Sequence, residues 1–342
     1  MNAKHLGVEM ANESQQMFKM VTGYWVSQMV GTAARMSIAD VLEPGAQSVD
    51  ELAKRLGADS AALYRLMRGL ASAGVFSERE GRTFANNTLS QTLRSNVPGS
   101  MRDMAIAQTS AGHWRPWERL TDAVKTGSRT TPAALGSEIF QWYGAHPEEA
   151  MAFSGAMDNL AALVASEVVR CWDFAKTKTV VDLGGANGTL VKAVLNAFPS
   201  CSGTLFDLPH VIGTAAQGLE AAGLKARCEA IGGDFFQQVP QGEVFLLKQI
   251  LHDWNDEQSV ALLKNVAKSM RGDGRVLVVE MIIPDDNSPS PAQLMDLNML
   301  VMLPGRERTA KEYGALFAQA GLTLTRVLPT HSPFSIVEAK RA

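Results

Sequence analysis

The stretch Leu247-Lys-Gln-Ile-Leu-His-Asp-Trp254 puts a histidine where an apolar run gives way to a loop. Histidine ionises near neutrality, so an imidazole held there suits general-base work on a hydroxyl group. His252 falls just past the carboxyl end of a strand. Upstream, Val180-Val-Asp-Leu-Gly-Gly-Ala-Asn-Gly188 reads as a strand, a glycine-rich turn and a helix opening near Thr189. In open α/β sheets this rim seats nucleotide-like ligands, and glycine lets the backbone approach a ligand without a Cβ clash. Asp207 ends the next apolar run, GTLFDLP, where a carboxylate can accept hydrogen bonds from both hydroxyls of a ribose. After the third strand, Gly232-Gly-Asp-Phe-Phe236 offers Asp234 as an acceptor for an adenine amino group and Phe235 as a ring to pack on the base. Two acids further on, Glu280 at the end of the fifth strand and Glu307 in PGRERT, are candidates to orient the imidazole. Asp253 is left unassigned, because sequence neighbours usually point apart.

The glycine loop and Asp207 together indicate an adenosine-bearing ligand. They do not separate a nicotinamide cofactor from S-adenosylmethionine, although the loop lacks the G-x-G-x-x-G spacing of a dinucleotide site and is closest to G-x-G-x-G with Ala186 in the middle.

These residues need elements to carry them. From Thr179 onward, short β-branched runs (TVVDL, SGTLFDL, ARCEAIGGD, EVFLLKQIL, RVLVVEMII) alternate with helical segments, which predicts a parallel sheet covered by helices on both faces. A helix near Thr309–Ala320 and the strands LTLTRVL and FSIVEA complete it. The first hundred residues read differently. A helix is expected from about Gln15 to Ala39, and Ser48-Val-Asp-Glu51 forms a capping box that opens a second helix ending at Gly57. A third helix spans Ser60–Ala73 and stops at Gly74, and VFSEREGRTFA follows as a hairpin turning at Glu80-Gly81. Helices followed by a hairpin outline a winged helix. Between the two parts, residues 100–175 hold Trp114, Trp117, Trp142 and Trp172, and a helix spaces Met151, Phe153, Met157, Leu160 and Val164 along one face. That face reads first as buried packing and second as the wall of an aromatic pocket.

Composition limits what the chain does. Its 342 residues suggest about two domains. A hydrophobic content of 46% against 20% charged excludes intrinsic disorder. Lys and Arg total 32 against 35 Asp and Glu, which leaves no basic excess for nucleic acid or an anionic membrane. Within residues 1–100, ten Lys and Arg face nine Asp and Glu, so the winged helix is expected to serve packing or dimerisation rather than DNA. The three cysteines, 171, 201 and 228, argue against a disulfide framework, the opening residues lack an apolar signal region, and no apolar run reaches about 20 residues; a soluble cytoplasmic protein is expected. The acidic run Pro284-Asp-Asp-Asn287 reads as a solvated loop, so no metal is expected.

VVDLGGANG, LFDLP, GGDFF, LKQILHDW, VVEMIIP and GRERT, in this order, resemble the class I S-adenosylmethionine-dependent small-molecule O-methyltransferases. That group includes plant caffeic acid and isoflavone methyltransferases and bacterial tailoring enzymes for phenazines and polyketide antibiotics. The resemblance spans nearly the whole chain. It implies a Rossmann-like, doubly wound, mostly parallel seven-stranded sheet with a mainly helical, winged-helix-like N-terminal domain. It divides the chain into a dimerisation domain at 1–100, a helical connector lining the substrate pocket at 101–175, and an S-adenosylmethionine-binding catalytic domain at 176–342. Gly184 would meet the methionine end of the cofactor, Asp207 the ribose, Asp234 and Phe235 the adenine, and Lys248 would lie along the pocket. His252 would be the base, steered by Glu280 and Glu307. Phe153, Met157, Asn298 and Met299 would contact a small aromatic acceptor, such as a phenazine or aromatic polyketide, and the chain would form a homodimer through its N-terminal domain. Two readings stand beside this one: a winged-helix regulator that senses a small ligand, and N- or C-methylation on the same scaffold.

Overall fold

The computed structural model describes residues 3–286 and 288–342. It divides into two compact units, Met1–Trp114 with Tyr143–Asn159, and Arg115–Trp142 with Leu160–Ala342. The stretch 101–175 therefore contributes to both.

In the first unit, the single helix expected over 15–39 is two helices, α1 (Ala3–Val21) and α2 (Gly23–Arg35). Thr22 breaks the run: it leaves helical geometry, and its hydroxyl donates back to the Phe18 carbonyl at 2.7 Å. The end comes early because Ser37 adopts a left-handed backbone, φ 53°. α3 (Val49–Leu56) starts at the reciprocal capping box: the Ser48 hydroxyl accepts from the Glu51 N–H, and the Glu51 carboxylate accepts from the Ser48 N–H at 3.0 Å. α4 (Ser60–Ser72) is capped by Asp59 and buries Leu63, Met67 and Leu70 on one stripe. The strands β1 (Phe76–Arg79) and β2 (Thr83–Asn86) form the expected antiparallel hairpin, and Gln47–Ser48 pairs with β2 as a third short strand. Leu52, Leu63, Met67, Leu70, Phe76 and Phe84 close a small core. By contrast, Met17, Phe18, Met20, Val21, Tyr24 and Trp25, around the junction of α1 and α2, are all at least half exposed. A long helix, α5 (Pro147–Cys171), begins in this unit and ends in the other.

The second unit is built on a seven-stranded sheet. Its strands are β3 (Thr179–Leu183), β4 (Ser202–Asp207), β5 (Cys228–Gly232), β6 (Gly242–Lys248), β7 (Met270–Glu280), β8 (Leu322–Pro329) and β9 (Ser335–Arg341). Their order is β8-β9-β7-β6-β3-β4-β5. From β7 to β5 every pairing is parallel, and β9 alone runs against its neighbours. The helices α6 (Thr189–Ala197), α7 (Pro209–Ala221), α8 (Asp256–Ser269), α9 (Pro291–Met302) and α10 (Ala310–Gln319) connect the strands. Successive strand residues point to opposite faces, and both faces are dry: Val180, Leu246 and Leu277 enter one core, Val181, Leu247 and Val278 the other. Each such side chain contributes roughly 1.5–3 kcal/mol on burial, which explains why the strands read as continuous apolar runs. The sheet order reverses between β3 and β6, because β3 feeds β4 on one side and β6 lies on the other. That switch point leaves a crevice beyond the carboxyl ends of the strands, where ligands of such sheets bind.

Candidate active site

The glycine turn leaves β3 at this crevice. Gly184 has φ +66°, and a Cβ there would fall 2.4 Å from the Ile250 side chain, so the backbone itself forms the cleft wall. Ala186 also lies in the left-handed region, φ 47°, a conformation that glycine takes without strain. Its N–H donates to Asp207 Oδ2 at 2.9 Å, while Oδ1 accepts from the Leu208 N–H at 2.7 Å. A carboxylate has about four acceptor positions, so both Asp207 oxygens keep capacity for a diol.

Phe235 follows β5 and stands against the turn, its ring 3.9 Å from where a Gly184 Cβ would lie, with its edge packed on Phe236 and Trp254. Asp234 is committed in part to its own loop, accepting from the Phe236 N–H at 2.8 Å and from Gln237 at 3.3 Å. Lys248 ends β6 and donates to Gln249 at 3.0 Å, and its charge acts on both Asp182 and Asp253. Asp182 escaped the sequence reading. It is buried in β3 beneath the turn and accepts from the Val191 N–H at 3.2 Å. Burial pushes it up to about 7, against the Val191 hydrogen bond and the Lys248 charge. A lone acid inside VVDLGG was the available signal.

His252 sits in a single turn of 3₁₀ helix, Leu251–Asp253, and is buried. Its Nδ1 lies 2.8 Å from Glu307 Oε1. Gly305 makes that contact possible: a Cβ there would fall 1.8 Å from the His252 carbonyl oxygen, so only glycine lets the 305–307 segment lie against the turn. On the other side, Nε2 lies 3.4 Å from Asp253 Oδ1. The tight turn brings the two neighbours to one side, which is why spacing alone missed Asp253. Burial opposes charging of the imidazole, but the Glu307 hydrogen bond and the charges of Asp253, Glu280 and Glu307 outweigh it and raise the ring to about 9. Burial likewise raises Asp253 to about 6, against the pull of the His252 charge.

Glu280 acts on His252 through its charge and through the backbone of the turn. It makes no hydrogen bond to the ring but holds the turn that carries it: its Oε1 accepts from the N–H groups of Ile250, Leu251 and His252 at 3.1, 2.7 and 3.2 Å. A carboxylate at the end of β7 meets the backbone of the adjoining turn before it can reach the imidazole. Glu307 alone of the two acids touches the ring.

The remaining expected residues separate between the units. Phe153 and Met157, on α5, belong to the first, where Phe153 stacks on Tyr143 at 4.9 Å and on His113 at 6.0 Å. Asn298 and Met299, on α9, belong to the second, where Met299 is buried and Asn298 Oδ1 accepts from Trp117 Nε1 at 3.0 Å. Gly184, Asp207, Asp234, Phe235, Lys248 and His252 all lie at or just past the carboxyl ends of β3 to β6, on one rim. The glycine wall, the carboxylate at 207 and the ring at 235 fit an adenosyl group. Among the described residues no cluster of His, Cys, Asp or Glu could hold a metal, and no helix is long and apolar enough to cross a membrane.

Comparison with known proteins carries this further. The O-methyltransferase domain model matches residues 117–323, and the O-methyltransferase dimerisation domain model residues 18–96. The chain is 40% identical to the phenazine O-methyltransferase of Lysobacter antibioticus over 96% of both chains. It superposes on the mitomycin 7-O-methyltransferase structure with a TM-score of 0.90 at 35% identity, covering 98% of this chain and 100% of that one. Human N-acetylserotonin methyltransferase, solved with S-adenosylmethionine, gives 0.88 at 27% identity over 96% and 98%. With both family domains present over nearly its full length, this chain belongs to the S-adenosylmethionine-dependent O-methyltransferases, of the kind that tailor phenazines and antibiotics, and S-adenosylmethionine is its cofactor.

Proposed function

We propose that the enzyme methylates a hydroxyl of an aromatic secondary metabolite, a phenazine or an aromatic polyketide, with His252 as general base. The observation that carries this is the position of His252, on the rim of the sheet with Nδ1 engaged by Glu307 at 2.8 Å and Nε2 only 3.4 Å from Asp253 Oδ1, too long for a strong hydrogen bond. The hydroxyl is phenolic, enolic or N-hydroxyl. When bound, S-adenosylmethionine supplies an electrophilic methyl carbon on a sulfonium. Gly184 would meet its methionine end, Asp207 would accept from its ribose, Asp234 and Phe235 would hold its adenine, and Lys248 would lie along the pocket.

The protein's own task is to place an acceptor oxygen in line with that methyl group and take its proton. Glu307 holds Nδ1 as the protonated nitrogen, which leaves Nε2 as the acceptor. With the ring held above its ordinary range by the carboxylates around it, the imidazolium is the dominant form at pH 7. A hydroxyl that is itself acidic therefore has an advantage: it arrives as an oxyanion and pairs with the imidazolium. Asn298 and Met299, in the unit that carries His252, would contact the flat acceptor, and the relatives' phenazine and mitomycin substrates support that class. We also infer a homodimer formed through residues 1–100, which the dimerisation-domain match supports, with 101–175 lining the acceptor pocket and 176–342 carrying cofactor and chemistry.

The test screens hydroxylated phenazines and aromatic polyketides by mass spectrometry for a gain of one methylene unit, then repeats the assay with His252→Gln. Turnover at neutral pH should fall roughly 10²–10⁴-fold while calorimetry shows cofactor binding retained. Undiminished turnover would remove His252 from the role of base. Carbon NMR of the product distinguishes methylation at oxygen from methylation at nitrogen or carbon.

A further inference from the structure

The turn that carries His252 is gripped from two directions by groups that never touch its ring. On the N–H side, three consecutive amides, 250 to 252, converge on Glu280 Oε1, as described above. The other oxygen of Glu280 accepts from the hydroxyl of Tyr313, on α10, which is fully buried. On the carbonyl side stands Arg308, also fully buried. Its Nη1 donates to the Leu251 carbonyl at 2.9 Å and its Nη2 to the Trp254 carbonyl at 2.8 Å. Nε and Nη2 also donate to Asp256 Oδ1, in the first turn of α8, at 3.0 and 2.8 Å. A guanidinium presents its donors in a rigid planar fork, so one side chain ties both ends of the turn to the following helix.

We propose that Arg308 and Tyr313 are positioning residues for methyl transfer: Arg308 fixes the turn by its carbonyls, Tyr313 fixes it through Glu280, and together they set the direction in which His252 presents Nε2. This rests on His252 acting as the base.

The charges around the ring support the assignment. Acting on it are Asp253 on its own turn, Glu280 at the end of β7 and Glu307 in the segment before α10; Lys248 at the end of β6 acts on Asp253, Arg308 acts on Glu280, and Asp256 on α8 pairs with Arg308. Burial raises Glu280 above the usual carboxylate range, against the His252 charge and the Tyr313 hydrogen bond. Burial also holds the Tyr313 phenol far above its ordinary range, so it stays an O–H donor. Without that donor Glu280 takes up a proton more readily, and His252 loses one of the charges that keep it protonated.

The test is NMR of the full-length protein labelled in its six histidines, with His252→Gln assigning the resonance. In the parent the neutral ring should be a single tautomer with the proton on Nδ1, and its titration midpoint should lie above the ordinary histidine range. In Tyr313→Phe the midpoint should fall by about one pH unit. In Arg308→Lys, whose ammonium cannot span two carbonyls and a carboxylate, the tautomers should mix. Should Arg308→Lys fail to fold, Tyr313→Phe, which removes one oxygen only, decides alone. If the variants fold, bind S-adenosylmethionine as the parent does, and keep midpoint and tautomer, the proposal is wrong and the two residues serve stability only. Failure of the base itself shows elsewhere, as undiminished turnover in His252→Gln, and leaves the NMR result intact.

Discussion

His252 is bracketed by carboxylates at both ring nitrogens, 2.8 Å to Glu307 and 3.4 Å to Asp253, inside a buried turn. Both favour the imidazolium, so the proton-accepting form gains population as pH rises toward about 9. For an acceptor that stays protonated, kcat/KM should climb over that range. Removing either acid weakens the bias and moves the rising limb to lower pH. The two differ in a second observable. Glu307→Gln should also lower kcat, by about 10-fold or more, because the ring loses the partner that fixes its orientation, whereas Asp253→Asn should shift the limb with a smaller loss. A pH–rate profile unmoved in both variants would contradict the electrostatic account. Asp207 lies at the opposite side of the crevice. Asp207→Ala should weaken S-adenosylmethionine binding by about 10-fold or more, read by calorimetry, since the ribose diol loses its charged acceptor. Circular dichroism should remain that of the parent.

At the scale of elements, the sequence was most legible where one physical rule acts alone. The capping box at Ser48 and Glu51, the strand-turn-helix at 180–188 and the alternation of strands and helices after Thr179 all follow from local chemistry. Legibility ended where two segments distant in the chain had to meet. Nothing local reveals that one oxygen of Glu280 serves the amides of 250 to 252, or that the backbone at 305 lies against the carbonyl of 252. The long opening helix failed for a smaller reason: a threonine hydroxyl bonding backwards broke a good periodic pattern. Two substitutions test the loops. Ala186→Gly should relieve a left-handed alanine and stabilise the fold by about 1 kcal/mol, seen as a rise of about 2–4 °C in melting temperature. Gly305→Ala should abolish activity and lower the melting temperature, because its methyl group has no room beside the His252 carbonyl.

At the scale of the whole molecule, Met17, Phe18, Met20, Val21, Tyr24 and Trp25 form an apolar band that faces solvent within its own unit. Phe18→Glu combined with Trp25→Glu should halve the molar mass seen by light scattering if that band joins two copies. An unchanged mass would place the contact elsewhere. Exposed apolar area of this kind also ties endurance to dosage. Where folding is completed by pairing, mass action makes the unfolding midpoint depend on how much protein is in the tube. Dilute samples should melt earlier than concentrated ones, and the charged double variant should lose that dependence.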